Sequence, residues 1–154
     1  MTALIILVIL AIVGFLAGRF LVIPEVSKRP DNLGVTDGKL KACPQKPNCV
    51  NSQAENGYPA MEPIPFNGTL AEAKTQMLDV VEAMERSTIV SENEDYIHAE
   101  FRSQLWGFVD DTEFYFDAED KVVHFRSAAR LGQSDLQANR RRMQDIRRRF
   151  QAVN

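Results

Sequence analysis

The pattern of apolar and polar positions divides the chain into three stretches. Ala3 to Ile23 is almost continuously apolar, with Gly14, Gly18 and Arg19 as its exceptions. Such a run has the length to span a bilayer, about 20 residues, and it offers no polar face of the kind a soluble surface helix needs. The next stretch has no sustained period, and all seven prolines of the chain fall between Pro24 and Pro65. Regular patterns begin beyond it. Thr69 to Arg86 reads as a helix with Leu70, Ala73, Met77, Val80, Val81 and Met84 on one stripe, opened by a Thr69/Glu72 capping box. Thr88 to Ser91 is a short strand, and Glu92 to Asp95 is a turn.

Three alternating runs follow. Tyr96 to Ser103 sets Ile97, Ala99 and Phe101 against Tyr96, His98, Glu100 and Arg102. Phe108 to Asp117 sets Asp110, Thr112, Phe114 and Phe116 against Asp111, Glu113 and Tyr115. Lys121 to Ser127 sets Val123 and Phe125 against Val122, His124 and Arg126. Period two gives strands with unlike faces. Asp117 to Asp120 is a polar hairpin connection, and a register symmetric about Ala118 and Glu119 is expected. Glu62 to Phe66 is a weak strand, confined to an edge by Pro63 and Pro65. After a loop from Arg126 to Arg130, a second helix is predicted, with Ser134 and Gln137 as its capping box and Leu136, Asn139, Met143, Ile146, Phe150 and Val153 on its stripe.

This order predicts an α+β fold: an antiparallel sheet of four to five strands, two helices packed on its apolar face, and an N-terminal transmembrane helix ahead of them. The expected division is 1–23 as transmembrane anchor or uncleaved signal, 24–61 as a proline-rich tether with a cysteine-stapled lead-in, and 62–154 as the α+β domain. A cleaved signal peptide is the alternative for the first segment. The absence of Lys or Arg before the run and its unbroken length favour an anchor. No Cys follows Leu16, Ala17 and Gly18, so a lipoprotein anchor is excluded.

Charge changes the picture. The net charge is −3, but Glu72 to Asp120 holds fourteen acidic residues against three basic ones, and Lys121 to Asn154 holds nine basic against two acidic. Internal balance explains this distribution better than a nucleic-acid footprint. Arg140 to Arg142 and Arg147 to Arg149 recur seven residues apart, as a solvated helix face would, and no nucleic-acid partner is expected.

Two groups carry the candidate chemistry. The polar sheet face brings together His98, Glu100, Asp111, Glu113 and His124. Such residues serve acid–base chemistry, and His98, Asp111, Glu113 and His124 are the weak candidates for a divalent metal. The plainer reading of that face is cross-strand ion pairing. The second group is Arg126, Ser127, Arg130, Asp135, Asn139 and Arg140. Two arginines near a helix N-terminus can hold an anion; the alternative is a structural network. Asn139, an amide on a core-facing stripe, needs buried partners, and the Arg126–Arg130 segment is the nearest source. No P-loop, GxGxxG, HExxH or Ser-His-Asp order is present, so no reaction follows from motifs.

The segments CPQKPNCVNSQ (Cys43 to Gln53), FVDDTEF (Phe108 to Phe114) and FRSAARLGQSDLQANRRR (Phe125 to Arg142) closely resemble a family known as domain of unknown function 1499. The resemblance covers Leu40 to Phe150. Ala129 stands where the family usually has serine, and Gln137 where it usually has glycine. The resemblance implies no activity. It does imply export, because similar members often carry export or lipoprotein signals.

Cys43 and Cys49, an even pair beyond an export-like segment, suggest a disulfide; half of a metal site and a catalytic thiol are the alternatives. Arg19, Lys28, Arg29, Lys39, Lys41 and Lys46 follow the span and favour a cytoplasmic placement. The cysteines and the resemblance favour the periplasmic side of a bacterial inner membrane. The reading that results is a membrane-tethered envelope domain, a non-catalytic binding or structural module attached through residues 3–23. It has a polar surface for an unknown protein or a small anionic ligand, and it needs no cofactor. The alternative is a small metal-dependent or acid–base enzyme built on the His/Asp/Glu face.

Overall fold

The computed structural model describes residues 2–154. Helix α1 (Thr2–Ala17) continues through a π-helical turn, Gly18–Val22, into α2 (Ile23–Val26). A two-stranded hairpin, β1 (Val35–Thr36) and β2 (Lys39–Leu40), precedes the main sheet. Then come β3 (Cys49–Asn51), β4 (Ile64–Pro65), α3 (Leu70–Glu82), β5 (Ser87–Glu92), β6 (Tyr96–Arg102), β7 (Val109–Asp117), β8 (Val122–Ala129) and α4 (Ala138–Val153). The fold is α+β, as the pattern predicts. The sheet has six strands in the order β3-β8-β7-β6-β5, with β4 also on β8, one more than the upper expectation.

The alternating runs form the sheet for the expected reason. Ile97, Ala99, Phe101, Phe114, Phe116, Val123 and Phe125 share one face, and all are buried. Against them α3 lays Ala73, Met77, Val80 and Val81, and α4 lays Met143, Ile146 and Phe150. The Thr69/Glu72 capping box is formed, with Glu72 N–H donating to Thr69 Oγ1 and Thr69 N–H donating to Glu72 Oε2.

Four details depart from expectation. The Arg126–Arg130 segment is not a loop: β8 runs on through Ala129, because β3 pairs Cys49, Val50 and Asn51 with Ala128, Ser127 and Arg126. The β7–β8 turn is centred between Glu119 and Asp120, since Asp117 pairs with Val122. Asp117 Oδ1 accepts from the N–H groups of Glu119 and Asp120 and fixes that turn. The strand 49–51 brings the sheet into the 24–61 segment. Finally, α4 starts at Ala138, not at Ser134. Leu136 and Gln137 are left-handed, with φ 52° and 65°, and Leu136 is exposed. Asp135 does the capping, its Oδ1 accepting from Gln137 N–H and its Oδ2 from Asn139 N–H.

The left-handed Gln137 explains the glycine expected there from the family pattern. A side chain costs free energy at positive φ, and glycine does not. Gln137→Gly is therefore expected to raise stability by about 0.5–1 kcal/mol, read as a higher urea midpoint. An unchanged or lower midpoint would show that the turn carries no such strain.

Candidate functional site

The polar sheet face is built by cross-strand neighbours. Register places Glu100 opposite Asp111, His98 opposite Glu113, and Glu113 opposite Arg126. The expected register would have placed Arg126 opposite Asp111; the shifted turn gives it Glu113. Arg130, just past β8, reaches back over the face. Its Nε and Nη2 form a fork on Asp111 at 2.8 and 2.6 Å, and Nη2 also donates to Glu100 Oε1 at 2.6 Å. His98 Nε2 lies 2.8 Å from Asp111 Oδ1. Glu113 accepts from Tyr96 Oη at 2.9 Å, from Gly34 N–H at 2.7 Å and from Arg126 Nη1 at 3.2 Å.

This face is closed, not open. The segment that follows the apolar helix folds over it. Arg29 donates to Glu100 Oε1 through Nε and Nη2 at 2.9 and 2.6 Å. Gly34 supplies its amide to Glu113, and the Ser27 carbonyl accepts from Arg130 Nη1. As a result His98, Glu100, Asp111, Glu113 and Arg126 are all buried. Four arginines, Arg29, Arg102, Arg126 and Arg130, pair with three carboxylates, Arg102 through Glu100 Oε2 at 3.1 Å. A guanidinium or imidazole partner for each buried carboxylate is what burial demands.

The carboxylates respond accordingly. Burial alone would raise Asp111, but hydrogen bonds from Arg130 and His98 outweigh it and bring its pKa down to about 2. Burial also opposes Glu100, and the hydrogen bonds from Arg130 and Arg29 hold it below its ordinary value. Tyr96 is pushed up by burial and by the Glu113 charge, so its hydroxyl stays a donor.

The two histidines share a face but not a site. His124 lies opposite Tyr115 and stacks on its ring, with Nδ1 3.4 Å from Ser52 Oγ. Burial lowers its pKa. Among the described residues no group of three His, Cys, Asp or Glu side chains is placed to hold a metal ion. The hydroxyls of Thr112 and Ser127 lie on the opposite face and bond each other at 2.7 Å, while the buried hydroxyl of Ser27, whose carbonyl accepts from Arg130, has no partner.

The second candidate group splits across the sheet. Arg126 and Arg130 belong to the network just described. Ser127 and Asn139 lie on the helix side, where Ser127 Oγ donates to Asn139 Oδ1 at 2.6 Å. Asn139 Nδ2 donates to the Asn48 carbonyl at 3.2 Å and to Asp135 Oδ2 at 2.8 Å. The buried amide therefore has the partners its position demanded. Arg140 donates to the carbonyls of Tyr58 and Ala60 and lies over the Tyr58 ring. The helix-side network also recruits Asp110 and Arg142, joined at 2.7 Å. Asn48, Arg142, Arg29 and Gly34 were not foreseen as members of either network. Of these, Asn48 had a signal, since it lies between the two cysteines of the CPQKPNC segment.

Cys43 and Cys49 form a disulfide, with Cα atoms 5.7 Å apart. It staples the chain immediately beside Asn48 and β3.

The fold and these networks define a class: a small α+β domain with two buried polar networks, preceded by a 21-residue apolar helix, Thr2–Val22, long enough to cross a membrane. A family model described as "Protein of unknown function (DUF1499)" matches residues 39–150, and the chain belongs to that family. A comparison with curated proteins finds no match.

Proposed function

We propose that this chain is a membrane-anchored envelope protein of the bacterial inner membrane, whose periplasmic domain is a non-catalytic module that binds an anionic ligand. The Cys43–Cys49 disulfide supports an oxidising compartment for the domain. The buried His98–Asp111–Arg130 cluster supports a structural role for the residues that most resemble acid–base machinery.

One observation carries the ligand class. A groove of about 610 Å³ lies between the end of α3, the end of β6 and α4. Its walls hold Arg86, Arg102, Arg141, Arg142 and Arg149 against Glu85, Asp110 and Asp145. Arginines outnumber carboxylates along these walls. Arg86, Arg102, Arg142 and Arg149 are tied to Glu85, Glu100, Asp110 and Asp145, while Arg141 is exposed and donates to a carbonyl, that of Leu136. A groove with surplus guanidinium donors suits a phosphate or carboxylate group.

The test uses the full chain, which should remain with membranes through a high-salt wash. In detergent, millimolar phosphate or citrate is expected to raise its melting temperature by mass action. An Arg141→Gln/Arg149→Gln variant should melt like the parent without anion and lose most of the rise. No rise with either anion, or a rise retained in the variant, refutes the groove. Stoichiometric zinc, iron or manganese in untagged protein, lost on His124→Ala, would instead favour the enzyme reading.

A further inference from the structure

The apolar helix does not end in a free linker. Phe15, Ala17, Gly18 and Arg19 are partly covered along one side, and the β6–β7 loop meets them there. The rings of Phe15 and Trp106 have centroids 4.9 Å apart. Arg19 Nη1 donates to the Leu105 carbonyl at 2.8 Å. Gly107 lies against this contact: its φ is +73°, and a Cβ there would lie 3.1 Å from Arg19 Nη1. The rest of the loop turns outward. Leu105 is 62% exposed, Trp106 41% and Phe108 41%. Phe20, Leu21, Val22 and Val26, at the end of the helix, are exposed as well.

Three large apolar side chains within four residues are unusual for an exposed hairpin connection, which is ordinarily polar. Here they stand where the folded domain meets the apolar helix. We propose that the Leu105–Phe108 loop seats in the interfacial layer of the bilayer, as a second membrane contact beside the span. The proposal rests on the reading of Thr2–Val22 as a membrane span. The partner is a lipid surface, and its continuity with that span is the argument for it.

Arg19 sets the depth. A guanidinium within an apolar helix must reach a polar level or a polar partner. Its partner is the Leu105 carbonyl, so loop and arginine share one level. Phe15 lies four residues nearer the start of the helix, about 6 Å deeper, and Trp106 reaches down to it. Indole is suited to this boundary, with an apolar body and one N–H donor. Two attachment points fix the domain against the membrane, where a single helix would let it swing. They also hold the arginine groove, which borders Ser103 and Gln104, close to the membrane plane.

Trp106 is the sole tryptophan of the chain, so its emission reports the loop alone. The full chain is reconstituted in phosphatidylcholine vesicles, and retention through an alkaline wash reads the span. Trp106 emission should then be blue-shifted from that of water-exposed indole. Lipids brominated just below the headgroup should reduce it at least twofold, and lipids brominated near the chain end should reduce it less. In a Leu105→Ser/Phe108→Ser variant with unchanged circular dichroism, the chain should stay in the vesicles and the quenching should fall at least twofold. Water-like, unquenched emission from a retained chain overturns the loop contact. Release of the chain by the wash overturns the span reading itself, and the proposal with it.

Discussion

Arg130→Ala is expected to cost about 4 kcal/mol of stability, more than any other substitution on the polar face. The reason is what the arginine leaves behind. Its side chain is 6% exposed and serves Asp111 through a two-bonded fork and Glu100 through a shared nitrogen. Without it Asp111 keeps His98 and Glu100 keeps Arg29 and Arg102, both half-exposed, and buried negative charge exceeds buried positive charge. Arg126→Ala should cost less, about 2–3 kcal/mol, because Glu113 retains donors in Tyr96 and Gly34. Arg126 also makes one bond, and its Nε has no partner. Lysine at position 130 cannot reproduce the planar fork, so Arg130→Lys should rescue only part of the loss. Urea midpoints of the full chain in detergent decide the order. A loss below about 1 kcal/mol in Arg130→Ala would show that the network does not hold the sheet to its cover.

The same network sets an acid limit. Asp111 has a folded pKa of about 2, below its ordinary value of 3.8. A depressed carboxylate contributes stability that is present above its unfolded pKa and lost as pH falls through the folded one. The window is therefore pH 4 down to 2, and the amount is about 2 kcal/mol. Glu100 acts in the same direction. Asp110, raised by burial against the pull of Arg142, acts in the opposite one. Arg130→Ala removes one of the two groups that depress Asp111, so the acid dependence of that variant should flatten.

The sheet was legible from residue types because its central strands alternate, with Ile97, Phe101, Phe114, Phe116, Val123 and Phe125 on one face and most of the charged residues on the other. Which residues share the polar face was legible for the same reason. That the face is covered was not. Its cover comes from Arg29 and Gly34, some seventy residues earlier in the chain, and one of these contacts is a backbone amide that leaves no mark in a sequence. The continuation of β8 was hidden because Ser127, Ala128 and Ala129 have little strand preference of their own; pairing with β3 decides their conformation. The start of α4 was misread through a local signal. Ser134 and Gln137 match a capping box in spacing, but Asp135 competes for the same amides and wins with a left-handed pair after it. Asn139 was legible in kind, as an amide that must be bonded, although its partners lie on both sides of the sequence. The candidate anion residues could not be separated by pattern, since Arg126 and Ser127 are adjacent in sequence and face opposite sides of the sheet.

Asn139 carries the other large effect. Its amide is fully buried and joins three elements: Ser127 on β8, Asp135 ahead of α4, and the Asn48 carbonyl beside the disulfide. Asn139→Ala leaves the Ser127 hydroxyl and Arg142 Nη1 without that acceptor, and the Asn48 carbonyl and Asp135 Oδ2 without that donor. The Asn48 carbonyl keeps the Ala129 N–H, and Ser127 keeps Thr112, so the loss is limited to the amide's own bonds and the space it fills. Those terms amount to about 3 kcal/mol. Ser127→Ala removes the hydroxyl that Asn139 accepts from, along with its bond to Thr112, and should cost about 1–2 kcal/mol. The double variant separates a network from two independent contacts. If the hydroxyl and the amide act together, Ser127→Ala in the Asn139→Ala background costs clearly less than it does alone, and the two losses fall short of adding by about 1 kcal/mol. Urea midpoints of the four chains give this directly. Additive losses would mean that Ser127 and Asn139 stabilise the fold separately.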